Sequence, residues 1–186
     1  MKEEICMRSN SRRHELLASA SHIVEHLGME KLTLEAVAKH AGVSKGGLLH
    51  HFPNKEAIVT AMIEEFGDTF FSELQQKSSE SINEVGKWSR AYIETTFHDP
   101  QTTAALSTAL LAVLFSKPEL LAAYNEKNNV LQEEILNDGI DPVNAVIIKL
   151  ATDGLWFSEI FGVGILDQDI RNQVEERLMK MSFEAK

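Results

Sequence analysis

The residues of this 186-residue sequence best suited to chemistry stand together at Ser44-Lys45-Gly46-Gly47 and His50-His51, with Lys55 just beyond. A hydroxyl, an ammonium, two glycines without a Cβ and two imidazoles make a surface that holds an anion. Their spacing does not suit bond making. No serine–histidine–aspartate set, phosphate loop or metal-ligand cluster is found at workable spacing. Adjacent histidines on a helix point about 100° apart, so His50 and His51 do not share one ion. Asp153 and Glu159 fall on no common helical face and read as polar edges of a packed helix. The expectation is a binding protein: not an enzyme, with no metal site and no cofactor.

Such residues need a scaffold, and the periodicity supplies only helices. Leu16, Leu17, Ala20, Val24 and Leu27 recur at helical spacing from about Ser11 to Leu27, closed by Gly28. A short helix follows from Leu34 to Ala41, with Thr33 as N-cap and Glu35 in its positive first turn. Gly42 and Val43 form a tight turn. Ser44 then caps a third helix from Lys45 to about His51, and Pro53 forces it to stop near Phe52. Asn54 caps a long fourth helix, with Ile58, Met62, Phe66, Thr69 and Phe70 along one face. Further helices are expected at about 82–98, 102–116, 118–137, 143–162 and 168–182. Gly162 and Gly164 separate the last two, and Asp167 caps the final one. No repeat or strand pattern interrupts the series. The fold class is therefore all-α, with about nine helices.

Charge divides the chain. Residues 1–55 carry eight Lys/Arg against six Asp/Glu, and hold six of the seven histidines. The remainder carries ten against twenty-two, a net of −12. Only the N-terminal third would tolerate a polyanion. The expected division is a head of residues 1–55 and a second domain of residues 56–186. No run of about 18 apolar residues predicts a membrane span. MKEEICMRSNSRR lacks the apolar core of a secretory signal. The single cysteine, Cys6, excludes an internal disulfide and fits a cytoplasmic location. A thiol in a terminal tail is more often inert than an oxidant sensor.

Thr33–Phe52, TLEAVAKHAGVSKGGLLHHF, has the layout of a helix-turn-helix that sets its second helix into a major groove. Val37, Ala38, Val43, Leu48 and Phe52 would pack its inside, while Lys45, Gly46, His50 and His51 project outward. Here the sequence resembles the TetR (tetracycline-repressor-like) family. The features are Arg12 at the start of the first helix, the run from Leu32 to Gly42, Val43-Ser44-Lys45-Gly46, Leu48, His51-Phe52, Pro53 and Lys55-Glu56. The likeness is close over residues 11–66. Ala151-Thr152-Asp153-Gly154-Leu155-Trp156 also resembles the penultimate helix of one subset of the family.

The resemblance implies a DNA-binding transcription repressor that a small-molecule inducer releases from double-stranded operator DNA. It implies phosphate or base contacts from Arg12, Thr33, Ser44, Lys45, His50, His51 and Lys55, with close backbone approach at Gly46 and Gly47. Two positions depart from the family pattern. Gly47 stands where Thr or Ser is common, and Leu49 where a phosphate-touching Tyr is common. Two adjacent glycines cost about 1 kcal/mol each in helix propensity, which implies a recognition helix that DNA orders.

The C-terminal domain holds most of the aromatic residues. Beside the plain reading of a helical core, Phe66, Trp88, Tyr92, Phe115 and Trp156 are candidates to line an effector cavity, with asparagines, His98 and the tyrosines as polar anchors. Its acidity favours a neutral or cationic effector. Apolar faces at Val143, Ile147, Leu150, Trp156, Phe157 and Ile160, and at Ile170, Val174, Leu178 and Met181, predict a homodimer through the last two helices. Two other readings fit fewer features. One is a regulator controlled by a partner protein or by no ligand. The other is a helical ligand carrier, which the basic N-terminal surface disfavours.

Overall fold

In the computed structural model the backbone is described for residues 2–97 and 104–185, and the side chains from Ser11 onward with Ala104 excepted. Nine α-helices occur among them: α1 (Lys2–Leu27), α2 (Leu34–His40), α3 (Lys45–Leu49), α4 (Lys55–Glu80), α5 (Lys87–Phe97), α6 (Ala104–Ser116), α7 (Pro118–Leu136), α8 (Pro142–Phe161) and α9 (Gln168–Met181). No strand occurs among the described residues, only a lone antiparallel bridge from Ile140 to Ala185. No single helix there is long and apolar enough to cross a membrane.

The boundaries follow local chemistry. α1 begins at Lys2 and not near Ser11, because no Gly or Pro interrupts residues 2–27 and Glu3 and Glu4 suit the positive end of a helix. The side chain of Cys6 and all of His98 lie outside the described residues. α5 starts at Lys87 rather than 82. Asn83 Oδ1 accepts from the Val85 amide at 3.0 Å, making a turn, and Gly86 sits at φ 74. A Cβ on Gly86 would fall 1.7 Å from the Ser182 carbonyl oxygen, so no other residue fits there.

The backbone forms two compact units, Met1–Phe66 with Ala105–Lys117, and Gly67–Ala104 with Pro118–Lys186. In the first, Leu16, Leu17, Ala20, Ile23 and Val24 of α1 are buried, as are Val37, Ala38, Leu48, Phe52, Ile58 and Met62. Leu27, expected on the apolar face of α1, is instead exposed, because Gly28 turns the chain away at φ 92. Arg13 lies over the Phe52 ring at 5.3 Å, and His14 pairs with Glu65 of α4 at 2.6 Å.

In the second unit α5 packs against α7, α8 and α9 around Leu74, Ile93, Phe97, Leu131, Ile135, Ile148 and Leu155. Arg90 is buried, and it organises the entry to α5. Its guanidinium donates to the carbonyls of Val85 (2.7 Å), Asn83 and Ser182 (3.2 Å) and to the Ser81 hydroxyl (2.9 Å), under the Phe183 ring. Asp138 accepts the α5 amides of Trp88 at 3.0 Å and Ser89 at 2.7 Å, capping the helix from 49–50 residues away. Burial pushes the Asp138 carboxyl above the usual range despite those amides and the Arg90 charge.

Candidate nucleic-acid interface

The head spreads its predicted residues over α1 to α4, most of them on α3 or its caps. Thr33 opens α2 by accepting the Ala36 amide at 3.1 Å, and Glu35 follows in the first turn. Gly42 takes φ 66, which lets the Val43 amide reach the Ala38 carbonyl at 2.9 Å and turns the chain sharply. Ser44 opens α3 by accepting the Gly47 amide at 3.1 Å. Leu48 points fully inward, while Lys45, Gly46, Gly47, Leu49 and His50 are exposed and His51 is half-buried. α3 is shorter than expected: its last helical residue is Leu49, with His50 as C-cap, because the chain must leave helix before Pro53.

The cations are differently engaged. Lys45 pairs with Glu35 across the α2–α3 corner, and this hydrogen bond holds the Glu35 carboxyl below its usual range. Lys55, half-buried, donates to the Met29 carbonyl at 2.9 Å, which ties the start of α4 to the turn before α2. Arg12 pairs with Glu15 at 2.7 Å and is exposed. Thr33, at the start of α2, and Ser44, Lys45, Gly46, Gly47 and His50, along α3, are all exposed.

The candidate effector residues are more scattered. Tyr92 is buried in the second unit's core, edge-on to Phe70 at 6.0 Å, and its hydroxyl donates to Asp153. Burial and that carboxylate drive the phenol pKa far upward. Asp153 also holds Lys149 at 2.6 Å. Trp88 packs against the same core, and Trp156 meets Phe157 edge-on at 5.3 Å. In the first unit Phe66 is half-buried and Phe115 is 59% exposed.

Periodicity marked the α9 stripe as a free surface, and there it misled. Leu178 is buried, and Val174 and Met181 pack on the unit's own core; of that stripe only Ile170 is exposed. On α8, Val143, Ile147, Leu150, Phe157 and Phe161 are exposed. With Gly154 between them they run at alternating steps of four and three, the seam of a coiled coil. The spacing was legible in sequence, but Gly154 and Phe161 were overlooked as its members. A second overlooked group is a histidine stack: the rings of His22 and His26 lie 4.1 Å apart, and those of His22 and His40 4.6 Å apart.

Residues 16–62 match the bacterial regulatory proteins of the tetR family, and residues 86–183 match the tetracyclin repressor-like C-terminal domain. The chain is 24% identical over 143 residues to the HTH-type transcriptional repressor KstR2 of Mycobacterium tuberculosis, covering 75% of this chain and 72% of that protein. It is 26% identical over 186 residues to the HTH-type transcriptional regulator BetI of Yersinia pestis, covering 90% and 92%. The fold is similar to that of the multidrug binding protein EbrR complexed with malachite green, with a TM-score of 0.65, 20% identity and coverage of 91% and 97%. The chain belongs to the TetR family of bacterial regulatory proteins and is a DNA-binding transcriptional regulator.

Proposed function

We propose that a homodimer of this chain represses transcription by seating α3 in the major groove of operator DNA, and releases it when a small molecule binds the C-terminal part. Residues 1–55 act as the DNA-binding head; residues 56–186 sense the ligand and dimerise. The observation that carries this reading is α3 itself, with Leu48 buried beneath it and Ser44, Lys45, Gly46, Gly47, Leu49 and His50 turned to solvent.

Each residue has a stated task. Ser44 and Thr33 use oxygen lone pairs as caps, so their hydroxyl protons remain to donate to phosphate. The α3 amides favour an anion at its start. Gly46 and Gly47 let the backbone approach, and Leu49 meets a thymine methyl. Lys45, His50, His51, Arg12 and the remaining donors of Lys55 reach the sugar–phosphate backbone.

The α8 seam supports dimerisation, with Gly154 allowing close approach at its middle and no neighbouring atom near its vacant Cβ direction. Pairing sets two α3 helices roughly 34–36 Å apart, one turn of duplex. Trp88, Tyr92 and Trp156, all in the second unit, are the proposed contacts of a neutral or cationic effector. The net −12 of residues 56–186 supports that class, and the fold neighbour EbrR is complexed with malachite green. The effector favours a form whose α3 spacing does not match DNA, so ligand and operator weaken each other. The protein works in the cytoplasm.

The test is fluorescence anisotropy on DNA from upstream of the chain's own gene. The Lys45→Ala, His51→Ala double variant is expected to fold and dimerise but lose the operator. Undiminished affinity would overturn the assignment of α3.

A further inference from the structure

The Lys149 ammonium rests in surroundings suited to a cation. It lies 2.6 Å from Asp153 Oδ2 and 5.4 Å from the centre of the Tyr92 ring. Asp153 Oδ1 accepts the Tyr92 hydroxyl, so the phenol that offers its face also fixes the carboxylate. Behind Tyr92 the aromatic group continues. Phe70 meets Tyr92 edge-on at 6.0 Å, Phe71 meets Phe70 at 5.5 Å, and Tyr124 lies 6.1 Å from Phe71. Burial, and after it the Asp153 charge, hold the Tyr124 phenol above its usual range, so that phenol too stands within the field of the carboxylate. A carboxylate beside aromatic rings attracts an organic ammonium through charge and ring quadrupole together. All of these residues belong to the second unit.

Lys149 is a weakly held occupant of that place. It stands four residues before Asp153 on α8, the less favourable order for a helical pair of these charges. Its compact ammonium is strongly hydrated in water, yet here the side chain is only 17% exposed. The Asp153 side chain keeps 28% exposure, so solvent reaches the carboxylate. A lysine stem can carry its charge out to water while the helix backbone stays in place. An ammonium borne on alkyl or aromatic groups is less hydrated and gives up less on entering. Thr95 and Thr96, about one turn beyond Tyr92 on α5, and Thr152, beside Asp153, have buried hydroxyls with no hydrogen-bond partner among the described residues. Such groups are uncommon in a finished fold, and here they accompany the ion pair on the same two helices.

We propose that the Asp153 carboxylate and the Tyr92 ring hold the ammonium of an organic cation, and that Lys149 is the internal cation this molecule displaces. The proposal rests on the reading that the C-terminal part senses a small molecule, and it narrows the effector to an organic ammonium. Lys149 sets the threshold, because the effector must outcompete it. Leu150 and Gly154, the neighbours of Lys149 and Asp153 in sequence, lie on the exposed α8 seam, so the cation site and the proposed dimer face share one helix.

The experiment is calorimetric titration of the full-length chain with benzyltrimethylammonium, with benzyl alcohol as the uncharged control and circular dichroism to confirm the fold of each variant. Lys149→Met is expected to bind the cation about tenfold tighter than the wild type, because the competitor is gone, and to bind benzyl alcohol no better. Lys149→Gln repeats the test with a polar side chain. Asp153→Asn, placed in the Lys149→Met background, is expected to lose that gain. Lys127→Met removes an equal charge from the same unit, one that pairs with Asp68, and should change affinity by less than about twofold. No cation binding at millimolar concentration in folded Lys149→Met or Lys149→Gln would overturn the site. So would an equal gain for benzyl alcohol, or a gain that survives Asp153→Asn. An equal gain in Lys127→Met would reduce the effect to net charge and overturn the role of Lys149. The same titrations followed by operator anisotropy separate the two readings. Binding that obeys this pattern but leaves operator affinity unchanged would keep the cation site and overturn release by ligand.

Discussion

The Lys45–Glu35 pair gives a sharp test, because two roles for Lys45 predict opposite signs. If Lys45 serves only to tie α3 to α2, then Lys45→Ala and Glu35→Gln break the same contact and weaken DNA binding alike. If Lys45 reaches phosphate, Glu35 competes for its ammonium and also places a negative charge beside the duplex. The depressed Glu35 carboxyl pKa fits a partner that is ionised and held by Lys45. Glu35→Gln then strengthens operator binding while Lys45→Ala weakens it. The magnitude follows from counterion release. Each lost phosphate contact lowers the slope of log K against log salt by about 0.9, and a dimer loses two, so the slope falls by about 1.8. Between roughly 50 and 200 mM salt, Lys45→Ala should lose about twelvefold less affinity than the wild type does. Anisotropy titrations at four salt concentrations measure this directly. Both side chains are exposed, so neither change should move the melting temperature appreciably. Equal weakening by both variants with an unchanged slope would refute a phosphate role for Lys45.

Other perturbations separate folding from binding. Ser44→Ala should cost about 1 kcal/mol of stability as a lost N-cap, whereas Ser44→Asp should keep the cap yet repel phosphate, leaving a stable protein that no longer binds the operator. Arg90→Met should destabilise by about 3 kcal/mol or more in urea unfolding, because it strands the carbonyls of Val85, Asn83 and Ser182. Asp138 titrates higher in the folded chain than its ordinary value of 3.8, so folding binds a proton and stability from this group is lost as pH rises through the raised value. The stability difference between wild type and Asp138→Asn should therefore shift against the wild type from pH 4 upward; a shift in its favour would contradict the assigned cause. Leu150→Asp, in the middle of the exposed α8 seam, should leave a folded monomer in sedimentation velocity where the wild type sediments as the proposed dimer.

The head was the most legible part because its instructions are local. Thr33, Gly42, Ser44 and Pro53 each act within four residues of themselves, and their caps and turns stand where the sequence places them. The Arg90 hub was not legible, since its partners are carbonyls of a loop and of Ser182, 92 residues away, and backbone acceptors carry no side-chain signature. Periodicity identified the apolar faces of α8 and α9 but not what covers them. Leu178 is covered by its own chain, whereas Leu150 is left bare. Gly154 has no apolar side chain for periodicity to mark, although it completes the seam. The i, i+4 spacing of His22 and His26 could be read from sequence; the approach of His40 could not, because it depends on how α2 packs on α1.

The weak charge of the head bears on why pairing matters. Residues 1–55 carry a net charge of only +2, α3 contributes a single cation, and that cation is shared with Glu35. Lys55 has one donor already committed to Met29. On the proposed contacts, hydroxyls, amides and imidazoles then supplement the few cations Arg12, Lys45 and Lys55, and one head is expected to hold phosphate only weakly. Linking two heads turns the second contact into an intramolecular event, a gain of 10²- to about 10⁴-fold without any new contact, provided the spacing matches the duplex. The affinity of a Leu150→Asp monomer should fall by a factor in that range although its head is untouched. A monomer that keeps wild-type affinity would mean that one α3 suffices, and that the ligand cannot act by altering the distance between two.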